Sequence, residues 1–274
     1  MMLHIHIPSL SQRKEEYRRG DSTVVYDDNK HAILIDGGEG DLWKQMRKFL
    51  EDKGLQHVTF VLSHWHPDHD CALRSALESS YVIVDKIYCP PIHELQSIPD
   101  GTGDYRRAAA IIGLARNLGK EIVYIPASKT QWIKVGEIRM WLWRKKATKS
   151  DYVNYQVNNT SISAYFPDLA YWSMGDAITS DAAYFKSYKA ERKVIGFKIP
   201  HHGNDTSMGQ AFFDCVRPRL GVSLGRRCIG RIWIQFTEAE TPLYATYADG
   251  DILAVADGSR LQVSCDKGTR EFVL

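Results

Sequence analysis

The chain has 274 residues, 44% of them apolar and 25% charged, with a formal net charge of +2. That length and balance suit a globular protein with a large core and exclude a disordered or fibrous chain. So small a charge does not by itself point to nucleic acid, and no apolar run approaches the roughly 20 residues of a membrane-spanning helix. Five cysteines, Cys71, Cys89, Cys215, Cys228 and Cys265, are odd in number and form no C-x-x-C pair, which predicts reduced thiols in a cytoplasmic protein. The opening Met1-Met2-Leu3-His4 lacks the charged start and apolar stretch of a secretory signal and leads to the same expectation.

In chain order, His4 and His6 alternate with Ile5 and Ile7, the period of a half-buried strand. Both imidazoles are expected to decorate one face of it rather than bind metal. Residues 22–26 and 31–35 bracket the turn-rich Asp27-Asp28-Asn29-Lys30 and predict an antiparallel hairpin. Asp41 can cap a helix running to Lys53, with Leu42, Met46, Phe49 and Leu50 on one face and Gly54 as its stop. The apolar run 58–62 predicts a buried strand, and a helix is expected over 71–79. A strand over 82–89 ends at Pro90-Pro91, neither of which can donate to a ladder. From there to 103 a loop bordering a site is expected.

A helix over 104–118, closed by Gly119, is expected to turn Arg106 and Arg107 to solvent. Strands follow over 121–125, 131–135 and 138–143, then a polar stretch from 144 to 159. Further strands are predicted over 161–166, 169–174, 194–200 and 220–224, with helices near 180–190 and over 209–216. The tail from 231 to 273 reads mostly as strands. No boundary or short repeat interrupts this alternation, so a single domain over 1–274 is expected.

Chemistry concentrates after the run 58–62. There, His64-Trp65-His66-Pro67-Asp68-His69-Asp70 places three imidazoles and two carboxylates within seven residues. That is the donor density of a metal site, and imidazole with carboxylate suits zinc, manganese or iron. A turn leaving a buried strand can aim alternate side chains into one cleft.

This H-x-H-x-D-H spacing resembles the signature of the metallo-β-lactamase superfamily. Upstream, Ala32-Ile33-Leu34-Ile35-Asp36-Gly37-Gly38 resembles the family's first motif, in which Asp36 would support the site. Downstream, Ser173-Met174-Gly175-Asp176 resembles the strand-end Gly-Asp, and Pro200-His201-His202-Gly203 the final histidine motif. The pieces GDSTVVYDDNKHAILIDGG, SHWHPDHD, GDAITSDAAYF and FKIPHHGNDTS are most similar to the soluble domain of ComEC-type competence proteins, of which this chain looks like a free-standing relative.

The resemblance implies an α/β fold, a four-layer αββα sandwich of two mixed sheets flanked by helices. It also implies a dinuclear centre of two divalent ions, zinc or manganese, with iron as a further candidate. His64 and His66 would bind the first ion; Asp68, His69 and one of His201 and His202 would bind the second; Asp176 would bridge them. His202 is the favoured ligand, with His201 contacting phosphate or donating a proton. Many members carry another histidine between the H-x-H-x-D-H and Gly-Asp motifs. Here that interval holds only His93, ahead of the strands that normally precede the ligand. Asn158 and Asn159 stand where ComEC-type relatives tend to show asparagine, so the first ion would be open, weakly held or manganese. A Gly-His-Pro segment of those relatives is replaced by Gly225-Arg226-Arg227-Cys228-Ile229-Gly230-Arg231.

The activity so implied is phosphodiester hydrolysis by a metal-bridging hydroxide, oriented by Asp68, with His201 protonating the leaving oxygen. Single-stranded DNA or an exposed DNA end is the expected substrate. Asn204, Thr206 and Ser207 could offer donors to an anion, or form an ordinary turn with a helix cap at Ser207. Arg226 and Arg227 are further candidates for substrate binding. Arg144-Lys145-Lys146 and Arg106-Arg107 could make a positive rim, solvated surface charge being the plainer reading. Trp132, Trp141, Trp143, Tyr152 and Tyr155 could stack bases, although alternating aromatics in strands more often pack inward. One alternative is a hydrolase of a small ester (a phosphorylcholine ester, cyclic nucleotide or lactone), which predicts a closed pocket under the 90–103 segment where DNA predicts an open basic groove. Another is a metal-binding, noncatalytic interaction protein, favoured by the missing histidine and opposed by the intact His64, His66, Asp68, His69 and Asp176.

Overall fold

The computed structural model describes residues 1–9, 21–98, 102–145, 157–177, 193–203, 208–224 and 230–274. Two mixed β-sheets face one another. The first contains β1 (Leu3–Ile7), β2 (Ser22–Asp27), β3 (Ala32–Asp36), β4 (His57–Val61), β5 (Ile83–Cys89), β6 (Glu121–Tyr124), β14 (Ile252–Ala256), β15 (Arg260–Cys265) and β16 (Gly268–Val273). Their order is β16-β15-β14-β1-β2-β3-β4-β5-β6. The second contains β7 (Gln131–Val135), β8 (Ile138–Arg144), β9 (Ile162–Phe166), β10 (Tyr171–Ser173), β11 (Gly196–Lys198), β12 (Leu220–Ser223) and β13 (Leu243–Ala245). Its order is β13-β12-β11-β10-β9-β8-β7.

Helices α1 (Asp41–Lys53), α2 (Pro67–Leu77) and α3 (Thr102–Asn117) cover the outer face of the first sheet. Helices α4 (Gln210–Val216) and α5 (Gly230–Glu238) cover that of the second, and α6 (Thr246–Asp249) is a short turn after β13. The expected αββα layering is thus present. Strand periodicity explains it. On β3, Ile33 and Ile35 enter the core between the sheets while Ala32 and Leu34 pack under the helices. Opposite them, Ile138, Met140 and Leu142 of β8 fill the same inter-sheet core. A strand covered on both faces reads as a continuous apolar run, which is what residues 32–35 and 58–62 show. None of the described helices is long and apolar enough to cross a membrane.

Strand direction positions the site. The strands β3, β4, β5 and β6 are parallel neighbours, as are β10, β11, β12 and β13. Ile35 pairs with Val61, and Ser173 with Lys198. The segments leaving β3, β4, β10 and β11 therefore all emerge at carboxyl strand ends, where α/β sheets gather functional groups.

Several elements differ from expectation. The α2 helix starts at Pro67, inside the histidine motif, because proline at the first helical position gives up an N–H that needs no intrahelical partner. Asp68, His69 and Asp70 are thereby in a helical first turn. Gly40, not Asp41, caps α1, and Trp43 joins Leu42, Met46 and Leu50 on its buried face. Part of the expected 90–103 loop is a 3-10 turn, Ile92–Ser97. The tail is not mostly strands at its start: α5 buries Ile232, Gln235 and Phe236, a helical spacing hidden by a β-branched and aromatic composition. The face of β1 that carries His6 is covered: His6 is 3% exposed, its ring tilted against that of Phe49 with centroids 3.7 Å apart and its Nε2 hydrogen-bonded to Asp251 at 2.9 Å. The expected helix near 180–190 lies outside the described residues.

Candidate metal centre

Six side chains predicted as ligands converge where the two sheets meet. After β4, His64 Nε2 and His66 Nδ1 face each other at 3.0 Å. From the first turn of α2, His69 Nε2 lies 3.4 Å from Asp176 Oδ2 and 3.9 Å from Asp68 Oδ1. Asp176, three residues past Ser173 at the end of β10, also directs Oδ2 at His64 Nε2, 3.9 Å away. The turn after β11 brings His202 Nε2 to 3.3 Å from both Asp68 Oδ2 and Asp176 Oδ2. Two of the resulting groups, His64–His69–Asp176 and Asp68–His69–His202, place one donor atom per residue within 4.8 Å of one another. They share His69, and Asp176 Oδ2 lies 3.4 Å from His69 Nε2 and 3.3 Å from His202 Nε2.

Behind the rings stand carboxylates that fix their orientation. Asp36 Oδ2 accepts from His69 Nδ1 at 2.9 Å and from Ser63 Oγ at 2.7 Å, and its Oδ1 accepts the Ser63 N–H at 2.7 Å. Asp36 thus stands behind His69, on the ring nitrogen opposite the one that faces Asp176. A second carboxylate was not read from the sequence: Asp21 Oδ1 lies 3.1 Å from His202 Nδ1. Carboxylates so placed hold an imidazole with its other nitrogen toward a metal and raise its basicity. Asp104, also unread, lies 3.9 Å from His66 Nε2. A polar residue at the head of a buried strand, as in Asp21-Ser22, was the available signal.

Local backbone shapes the centre. His201, His202 and Gly203 have φ of 49°, 52° and 76°, three successive left-handed residues. For residues with a Cβ that conformation costs roughly 1–2 kcal/mol each, and such strain collects at functional sites. The turn is held by the His201 N–H donating to Gly175 O at 3.3 Å and by Ser223 Oγ donating to His202 O at 3.0 Å. Gly175, at φ 54°, lets the end of β10 approach Ser63; a Cβ there would stand 2.7 Å from that of Ser63.

The charge pattern fits divalent cations. Burial alone would raise Asp176, but the charges of His202 and His69 hold it well below the usual carboxylate range. Asp68 is likewise lowered, burial being outweighed by His69 and His202. Conversely, burial opposes charge on His69 and His202, yet their carboxylate neighbours, Asp176 first, raise both well above the ordinary histidine value. His64 goes the other way, driven down by burial and then by His69 and His66. Without an ion, protons on His69 and His202 therefore supply the positive charge that the carboxylates demand. Such proton-loaded donor sets exchange protons for metal.

Other expected residues fall elsewhere. His93 is exposed, in the 3-10 turn, and joins none of the metal-ligating groups among the described residues. Asn158 is fully buried, in the turn that leads to Ser161, whose Oγ accepts the Asp176 N–H at 3.2 Å. His201 is 7% exposed with its ring 6.0 Å from that of His202, beside the cluster rather than in it. Arg107 is not turned to solvent: its Nε donates to both oxygens of Asp70 at 2.9 Å, and one terminal nitrogen to Trp65 O at 2.6 Å and Asp104 Oδ1 at 2.7 Å. Nor is Arg144 part of a surface rim, since it is 1% exposed and ion-paired with Glu94. Trp132 is exposed and packs edge-on against Trp141 at 4.0 Å. Asn204, Thr206, Ser207, Arg226, Arg227, Lys146, Tyr152 and Tyr155 lie outside the described residues.

Comparison with known proteins accords with this geometry. A family model described as the metallo-beta-lactamase superfamily matches residues 17–126, which include the His64–His69 motif. The metallo-beta-lactamase fold protein YhfI from Bacillus subtilis superposes with a TM-score of 0.54 over 93% of this chain and 99% of that one, at 12% identity. This chain has the metallo-β-lactamase fold. The B3 metallo-beta-lactamase BLEG-1 aligns less extensively, with a TM-score of 0.40 and 18% identity over 63% of this chain and 71% of that one. No curated protein sequence matches the chain significantly. Within the metallo-β-lactamase fold, the family model stops short of Asp176 and His202, so their membership of the centre rests on the geometry described above.

Proposed function

We propose that the chain is a metal-dependent hydrolase of phosphodiesters with a dinuclear zinc or manganese centre, and that it acts on DNA in the cytoplasm. The observation that carries this reading is the convergence of His64, His66, Asp68, His69, Asp176 and His202, backed by Asp36 and Asp21. Two divalent ions held there would supply Lewis-acid polarisation of a phosphoryl oxygen and a water acidic enough to react near neutral pH.

The chain's own groups account for the remainder. Asp68 keeps 19% of its side chain exposed, so its carboxylate borders solvent and would orient the attacking water. His201, next to the cluster, would return a proton to the departing oxygen. Asp36 and Asp21 keep His69 and His202 from rotating as charge develops. Similarity of the sequence pieces to ComEC-type proteins supports DNA over other phosphodiesters, and free thiols at Cys71, Cys89, Cys215 and Cys265 suit a reducing compartment.

The test is incubation of purified protein with end-labelled single-stranded DNA and either manganese or zinc, beside Asp68→Ala. Metal-dependent cleavage lost in the variant is expected. If the wild type leaves DNA and bis(p-nitrophenyl) phosphate intact but opens a lactone, the phosphodiesterase reading is wrong.

A further inference from the structure

The last residue of β11, Lys198, is 0% exposed and points into the base of the centre. Its ammonium donates to Gly175 O at 2.5 Å, forms an ion pair with Asp21 Oδ2, and lies 3.5 Å from Asp176 Oδ1. Both carboxylates are thereby divided. Asp176 gives Oδ2 to His64, His69 and His202 and Oδ1 to Lys198; Asp21 gives Oδ1 to His202 and Oδ2 to Lys198. A buried lysine amid two carboxylates and a carbonyl has the surroundings of a hard cation, for which oxygen donors suit manganese or magnesium better than zinc. Donor atoms of Asp21, Asp176 and His202 also lie within 4.8 Å of one another, close enough to hold an ion themselves.

We propose that Lys198 is a resident cation of the centre: its ammonium holds, between Asp21, Asp176 and the Gly175 carbonyl, a place that a hard divalent ion would otherwise take. It thereby confines exchangeable metal to the imidazole side. Electrostatics favours this arrangement. A fixed single charge neutralises Asp21 and steadies the outer oxygen of Asp176, whereas a divalent ion so close to those on the imidazole side would repel them strongly in a buried site. Lys198 touches no substrate in this role; it sets how many ions the centre accepts.

The inference rests on the centre binding divalent ions, as proposed above. The experiment measures manganese per chain, by elemental mass spectrometry after equilibrium dialysis, for the full-length wild type, Lys198→Ala and the double variant Lys198→Ala with Asp21→Asn. Lys198→Ala is expected to hold one more manganese per chain than the wild type, and the double variant to lose that gain. Manganese should also raise the Tm of Lys198→Ala by more than that of the wild type, because binding to the native state stabilises it. If Lys198→Ala does not accumulate folded, Lys198→Ser, which leaves a small polar side chain in the buried space, is read the same way. A folded variant with equal or less manganese overturns the role of Lys198 while leaving the hydrolase reading intact. A wild type that binds neither manganese nor zinc overturns both.

Discussion

Asp36→Asn isolates what a carboxylate behind a histidine contributes to the centre. Asp36 sits at φ 51°, a conformation asparagine adopts as readily as aspartate, so the backbone is not perturbed. The amide oxygen can still accept the Ser63 N–H, and the amide nitrogen can donate to Ser63 Oγ. What cannot survive is the bond from His69 Nδ1 to Oδ2, 2.9 Å long and made to a charged acceptor. A hydrogen bond to a charged group contributes about 1.5–3 kcal/mol, which corresponds to about a 10- to 150-fold loss of metal affinity if the bond matters chiefly for presenting His69. Independent experience with carboxylates behind ligating histidines gives a similar span, about 10- to 100-fold. Zinc affinity measured in competition with a chromophoric chelator is the assay, with circular dichroism to show that the variant is folded. A folded variant that binds zinc within about threefold of the wild type would refute the argument, because one charged hydrogen bond must cost more than that.

Other perturbations probe the surroundings. Gly175→Ala forces a left-handed alanine against Ser63 and is expected to destabilise by about 2–5 kcal/mol, adding overpacking to backbone strain; a urea melt unchanged from wild type would contradict the contact. Arg107→Met leaves the fully buried Asp70 without its guanidinium. Burial already pushes that carboxyl up to about 6 despite the pairing, so it can neutralise itself, and we expect the low end for a broken buried pair, about 3 kcal/mol by the same measurement. Asp251 has its carboxyl at about 2: burial pushes it up, but hydrogen bonds from His6 and the Ser9 N–H more than offset this. A carboxyl lowered in the folded state stabilises above its unfolded value of roughly 4, and that contribution fades as pH falls through about 2. Asp251→Asn should therefore lower the Tm at pH 7 and match the wild type near pH 2; a gap that persists at pH 2 would show that the effect is not ionic.

Legibility followed sequence distance. The candidate ligands His64, His66, Asp68 and His69 lie within one turn and its helix, and their donor density together with the resemblance of their spacing to a known signature made them legible. Asp176, His202 and Asp36 were legible because the short segments that hold them, at or just past the ends of β10, β11 and β3, resemble motifs of a known superfamily. Asp21 and Lys198 were not, since a charge at one end of an apolar run looks like any solvated strand end, and their pairing joins distant parts of the chain across the two sheets. Arg107 and Arg144 were misjudged as surface residues. Long basic side chains reach buried carboxylates through packing that only the tertiary fold defines. In α5, Ile232, Trp233, Ile234 and Phe236 favour a strand by composition, and helix packing against β12 and β13 overrode it.

The division of the donors between the sheets has a consequence for how the protein matures. His64, His66, Asp68 and His69 leave the ribosome long before Asp176 and His202, so the early half of the chain holds only part of a chelating set. Domains emerging during synthesis organise from the N-terminal side, and metal affinity is folding free energy when the donors are assembled by the fold. The centre can close only once β11 has docked beside β10 and the left-handed turn at His201 and His202 has formed. An ion bound there would then mark the completion of the sandwich and latch the late half of the polypeptide onto the early one.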